Sequence, residues 1–222
     1  MHLRHGNFKM NYSLLGQCIN STDRIKDLGM AVTDSMKFSV HCSEISKKAN
    51  QILGFIKSSI TSRSKEVILP LYRGLVRPHL EYAVQLWSPH LIKDIEIIER
   101  VQRRATRLIG SMRGKNYLQR LGQLGMYSLN KRRRRGDLIE AFKIIKGKEF
   151  ISYLFEIDHN SRTRGHNLKL KKTRSRLHLR HYFFSQRVVN DWNMLPREIN
   201  DLNTVREFKH FIDGVPPISI MN

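Results

Sequence analysis

The stretch at residues 71–106, LYRGLVRPHLEYAVQLWSPHLIKDIEIIERVQRRAT, constrains the fold most, because it joins two apolar helical patterns through prolines. Leu71, Leu75, Leu80, Tyr82, Leu86 and Trp87 are too apolar for a solvated loop. Pro78, however, lacks a backbone donor and disfavours the α region at Arg77, which predicts a kinked or broken helix. Trp87-Ser88-Pro89 then reads as a helix start, with Ser88 as N-cap and Pro89 at the first helical position. That helix should run over residues 90–109 and stop at Gly110. Leu91, Ile95, Ile98, Val101 or Gln102, Ala105, Leu108 and Ile109 recur at a helical period, and Arg100, Arg103, Arg104 and Arg107 fall mostly off that stripe. One face should be core and the other a row of guanidinium groups.

Before this stretch the pattern changes twice. Residues 1–36 are short and β-like: residues 11–16 and 18–20 flank Gly16-Gln17 as a hairpin, and residues 28–32 suggest a third strand. So small a sheet needs something to pack against, so the segment reads as the end of something larger. Over residues 37–60, Ile45, Ala49, Ile52 or Leu53, Ile56 and Ile60 fall at helical spacing with Lys47, Lys48 and Lys57 off the stripe. A second helix should start at Ser64 and carry Val67, Ile68, Leu71 and Leu75 toward Pro78, with Pro70 as a further irregularity.

Beyond Gly110 the glycine-punctuated residues 117–125 promise short helical turns at best. Ser128 should open a helix that buries Leu138, Ile139, Phe142 and Ile145 and stops at Gly147. Inside it Lys131 and Arg132, Arg133, Arg134 and Arg135 form an unbroken basic run: a solvated helix face, a phosphate contact or a nuclear-import signal. Between Asp158 and Asp191 no acidic residue occurs, while Arg162, Arg164, Lys169, Lys171, Lys172, Arg174, Arg176, Arg180 and Arg187 all do. Residues 168–171 and 176–180 alternate leucine with basic side chains, which suggests a hairpin with cations on one face, suited to a phosphate backbone or merely covering a helix. Tyr182, Phe183, Phe184, Val188, Val189 and Trp192 cluster at near-helical spacing and read as core more than as a base-stacking platform. Thr204 and Glu207 form a capping box for a last helix with Phe208, Phe211 and Ile212, ended by Pro216-Pro217.

Charge narrows the partners: 40 Lys and Arg against 19 Asp and Glu give +21, a self-repulsion that points to a polyanion, RNA or DNA first. Cys18 and Cys42 match no zinc or redox spacing, which favours free thiols in a reducing compartment. No apolar run approaches a membrane span and the N-terminus has no signal-peptide core, so a soluble protein of the nucleus or cytoplasm is expected, with no membrane partner. Paired aspartates for two Mg²⁺ ions are missing, as are phosphate-loop and dinucleotide glycine patterns. The pairs His2/His5 and His178/His181 lack a third ligand. No metal, cofactor or catalytic residue is expected.

Several words in the chain resemble a known family. Lys26-Asp27-Leu28-Gly29, Lys48-Ala49-Asn50, Leu53-Gly54-Phe55-Ile56, Leu75-Val76-Arg77-Pro78-His79-Leu80-Glu81-Tyr82, Trp87-Ser88-Pro89 and Glu99-Arg100-Val101-Gln102-Arg103-Arg104-Ala105-Thr106 are similar to the jockey-like non-LTR (LINE-type) retrotransposon reverse transcriptases. So are Arg135-Gly136-Asp137-Leu138-Ile139, Thr163-Arg164-Gly165-His166, and the run from Phe184-Ser185-Gln186-Arg187 through Trp192-Asn193-Met194-Leu195-Pro196. The resemblance implies the last palm strands at residues 1–36, a thumb-like helical domain at 37–126 and a basic C-terminal region at 127–222. The fold class would be mainly α with a small β part: a thumb-like bundle between a palm hairpin remnant and a basic α+β region. The palm's metal-binding aspartates and the endonuclease would lie upstream.

Two functions follow. In the first, a catalytically incomplete reverse-transcriptase fragment binds RNA or DNA, by resemblance an RNA–DNA duplex, without sequence preference. Its contacts would be Arg100, Arg103, Arg104, Arg107, Arg132, Arg133, Arg134, Arg135, Lys169, Lys171, Lys172, Arg174, Arg176 and Arg180. In the second, a basic helical module docks an acidic protein or a polymerase palm supplied in trans.

Overall fold

The computed structural model describes residues 1–2, 8–147, 152–159 and 165–214. His5, Arg162, Arg164 and Pro216-Pro217 lie outside them. The fold is mainly helical with two small antiparallel hairpins. The first pairs β1 (Tyr12–Leu14) with β2 (Gln17–Ile19), and the second pairs β3 (Arg24–Asp27) with β4 (Met30–Thr33). Each turn has two residues at positive φ, Leu15-Gly16 at 50° and 79° and Leu28-Gly29 at 44° and 83°. Such turns match the right-handed twist of the flanking strands. Leu28 is therefore a turn residue, and the expected third strand is half of a second hairpin whose other half, β3, alternates too weakly to be seen in the sequence.

Contacts divide the chain into two units, one of Met1–Tyr82 with Pro89–Met126, the other of Ala83–Ser88 with Tyr127–Asn222. In the first, helix α1 (Ser39–Ser59) buries Cys42, Ser46, Ala49, Leu53 and Ile56. Strand β4 lies on it: Met30 and Ala31 are buried, and the Ala31 amide donates to His41 Nδ1 at 3.3 Å. The β1–β2 hairpin, by contrast, is exposed throughout.

Helix α2 (Lys65–Leu71) continues through a π segment, Tyr72–Val76, into α3 (Arg77–Glu81). Of the kinked or broken helix expected at Pro78, the break does not occur. Arg77 is α-helical at φ −61°, ψ −38°, and its N–H reaches five residues back to Tyr72 O. The wider π turn takes up an extra residue, so the rod continues where an α register would have met the proline ring. Tyr72, Val76 and Leu80 stay buried along it.

The next helix also starts later than expected. A single turn, α4 (Val84–Trp87), precedes Ser88, and α5 (Ile92–Arg107) begins after Leu91, so Ser88 and Pro89 are a connection and not a cap. Asp94 in its first turn instead accepts a hydrogen bond from Ser39 Oγ at 2.6 Å. After a 3-10 turn at Gly110–Met112 comes α6 (Tyr117–Leu124), a full helix with an Asn116/Gln119 capping box and Gly125 left-handed at its end. The capping pair was present in the sequence but hidden by the glycines.

In the second unit, α7 (Leu129–Ile145) is capped by Ser128, whose side chain accepts the Lys131 amide, and it ends at left-handed Gly147. Two further helices, α8 (His178–His181) and α9 (Phe184–Asn193), lead to α10 (Val205–Gly214), which the Thr204/Glu207 box opens as expected. Leu138, Phe142, Val188, Val189, Trp192, Leu195, Ile199 and Phe208 form one core, and the rings of Phe142 and Phe208 stack at 4.3 Å. Of the aromatics before and within α9, Trp192 lies in this core and Phe184 packs against it, while Tyr182 and Phe183 are half-buried. No helix among the described residues is long and apolar enough to cross a membrane.

Candidate nucleic-acid interface

Helix α5 is two-faced. Ile98, Val101 and Ala105 are buried, and between them lie buried polar side chains, Glu99, Gln102 and Thr106. These join a network with the neighbouring helices. Tyr72 Oη donates to Gln102 Oε1 at 2.8 Å, Gln102 Nε2 donates to Tyr117 Oη at 2.9 Å, and Tyr117 Oη donates to Glu99 Oε1. Burial, reinforced by the Glu99 charge, pushes the Tyr117 phenol up, so it stays a neutral donor. A satisfied buried network fixes the rotation of α5 about its axis.

That rotation turns Arg100, Arg103, Arg104 and Arg107 outward, all four exposed. None of them makes an ion pair among the described residues. Arg104 leans toward α1 and donates to Asn50 Oδ1 at 3.0 Å, while Arg103 leans the other way, its guanidinium 5.2 Å from the Tyr117 ring centroid. Arg120 of α6 joins from beneath, donating from Nε to Thr106 Oγ1 at 3.0 Å and from a terminal nitrogen to Lys115 O at 2.6 Å. Sequence reasoning missed Arg120 because no stripe marked so short a helix.

The basic run on α7 is arranged differently. Arg133 is fully buried, at 2% exposure. Arg134 makes a two-pronged bond to Asp191 at 2.9 and 2.7 Å, and Arg135 does the same with Asp213 at 2.7 and 2.8 Å. Nearby Arg187 grips Asp137 at 2.8 and 2.9 Å and also donates to Gln85 O and Tyr182 O. Burial outweighs that pairing and pushes the Asp137 carboxyl up from its ordinary value. Thus Arg134 and Arg135 bind α7 to its own unit and Arg133 is withdrawn from solvent, while Lys131 lies 4.5 Å over the Tyr127 ring.

The expected hairpin over residues 168–180 does not form. Leu170 makes a lone bridge to Ile157, residues 171–177 have no regular structure, and residues 178–181 are the helix α8. The reason lies on α9. Asn193 donates to Leu170 O and accepts its amide, both at 2.8 Å, Asn190 accepts from Lys172 Nζ at 3.0 Å, and Gln186 donates to Thr173 Oγ1 at 2.6 Å. Gln186, Asn190 and Asn193 stand one turn apart, so the helix holds this segment extended in place of a partner strand. Lys169 is buried, Lys171 pairs with Glu156 at 2.9 Å, and that bond raises its ammonium above the ordinary lysine value. Arg174, Arg176 and Arg180 remain exposed, without ion pairs among the described residues.

No group of three or more His, Cys, Asp or Glu able to hold a metal occurs among the described residues. Neither Cys18 nor Cys42 is in a disulfide among the described residues. The chain matches no family model, no curated protein and no solved structure.

Proposed function

We propose that this chain is the thumb and post-palm part of a reverse transcriptase of the jockey-like non-LTR type, holding nucleic acid without sequence preference and lacking polymerase chemistry of its own. The observation that carries this reading is the α5 face: four exposed arginines without ion pairs among the described residues, on a helix whose rotation is fixed from behind. Arg174, Arg176 and Arg180 add a second exposed cationic stretch. Guanidinium groups on a fixed frame suit phosphates, which position a strand but carry no base information. The order of the quoted words along nearly the whole chain supports the family reading.

Salt tests it. Binding through several phosphates loses affinity with a log–log slope of about −0.9 per contact on duplex DNA, and should do so equally for unrelated sequences. Primer-extension assays with Mg²⁺ should give no product. A rival role as a protein-docking module draws on one observation, the exposed apolar side chains Phe8, Met10, Tyr12, Leu14, Leu15 and Ile19. A salt-insensitive complex with a protein, and no nucleic-acid binding, would favour that rival.

A further inference from the structure

We infer that Arg103, Arg107 and Arg120 form a binding site for a single phosphate group, an assignment that rests on the nucleic-acid reading and names the point of tightest grip. Arg107 lies one turn from Arg103 on α5, and Arg120 Nε is anchored on the hydroxyl of Thr106 in that same turn, so guanidinium groups from two helices come together. The Tyr117 ring holds two of them in place, 5.2 Å from Arg103 and 5.6 Å from Arg120. Among the described residues no carboxylate pairs with any of the three. The Glu99 carboxylate on the same helix is turned to the Tyr117 hydroxyl and Gln102. Arg120 is also buried, at 4% exposure.

A cation cluster of this kind works against folding unless an anion completes it. The same chain shows the alternative on α7, where Arg134 and Arg135 each have an aspartate. Burial and the charges of Arg107 and Arg103 lower the Arg120 pKa, as an uncompensated positive field must. Arginine nevertheless stays protonated in proteins, so the site keeps its charge. Planar donor forks match the oxygens of a phosphate, whether inside a nucleic-acid strand or at its end.

The test uses the full chain. Because Arg120 is buried, its exposed partners are changed: Arg103→Gln with Arg107→Gln, against Lys47→Gln with Lys48→Gln on α1 as a control that removes equal charge from exposed positions of the same unit. Inorganic pyrophosphate should raise the thermal midpoint of the unmodified chain and of the control, and not of the first variant. No rise, or equal loss in both variants, would overturn the site. Short single strands with 5′-hydroxyl or 5′-phosphate ends supply the second arm, where the first variant should lose at least about tenfold in affinity and the control much less. Preference for the 5′-phosphate strand would place a terminal phosphate there, and equal binding an internal phosphodiester; both support the site. A chain that responds to pyrophosphate but binds neither strand keeps the site and ends the nucleic-acid reading. One that binds both strands with equal losses in the two variants keeps the reading and ends the site.

Discussion

His41 accepts the Ala31 amide through Nδ1, and His166 Nε2 meets Trp192 O at 3.0 Å, one histidine in each unit. Burial lowers both from the ordinary 6.5. A histidine with a depressed folded-state pKa contributes stability above the unfolded value and loses it as pH falls from there toward the folded one. The thermal midpoint should therefore fall between about pH 7 and pH 5 as the histidines charge, and His41→Gln should flatten the first unit's share. Circular dichroism melts across that range check it; a midpoint that climbs on acidification would contradict the argument. Arg187 gives a second residue-scale prediction. Arg187→Met strands the buried Asp137 carboxylate, and denaturant titration should record a loss of about 3–5 kcal/mol. Neither role was legible. In the sequence Arg187 counts as one more cation in an acid-free stretch, because its partner lies fifty residues upstream. Charge read along a chain is blind to charge paired across a fold.

At the scale of elements, legibility followed periodicity. The stripes of α1, α5 and α7, the Ser128 cap and the Thr204/Glu207 box could all be read, since local spacing alone decides them. The π segment and the α9-held segment could not, because each depends on a partner that the local pattern does not name. That distinction decides a prediction about the two basic stretches. Reversing Arg134 and Arg135 to Glu should destabilise the second unit by breaking their bonds to Asp191 and Asp213, seen as a lower denaturant midpoint. Reversing Arg174, Arg176 and Arg180 should leave folding intact and weaken nucleic-acid binding by about 0.6–3 kcal/mol, taking about 0.2–1 kcal/mol for each exposed charge. Equal binding losses in both variants, with both folded, would put the helix back in the interface. Hydrogen exchange separates the hairpins in the same way: β1–β2 amides, on strands exposed throughout, should exchange far faster than those of α1 and α5. Comparable protection would mean that the β1–β2 hairpin is covered.

On the scale of the whole molecule the chain passes between its two units three times, since Ala83–Ser88 belongs with residues that follow Met126. Ala83 marks the first passage with a left-handed backbone, φ 50°. This small excursion groups Trp87, buried to 1%, with residues that follow Met126, and the Gln85 carbonyl waits for Arg187, 102 residues later. On a ribosome adding about 5–20 residues per second, that wait is roughly 5–20 s. For that interval the nascent chain carries Trp87 before the residues that cover it in the second unit are complete. The window in which the chain is open to capture by a chaperone, or to mispairing with another copy, is thus set by the distance from Trp87 to α9.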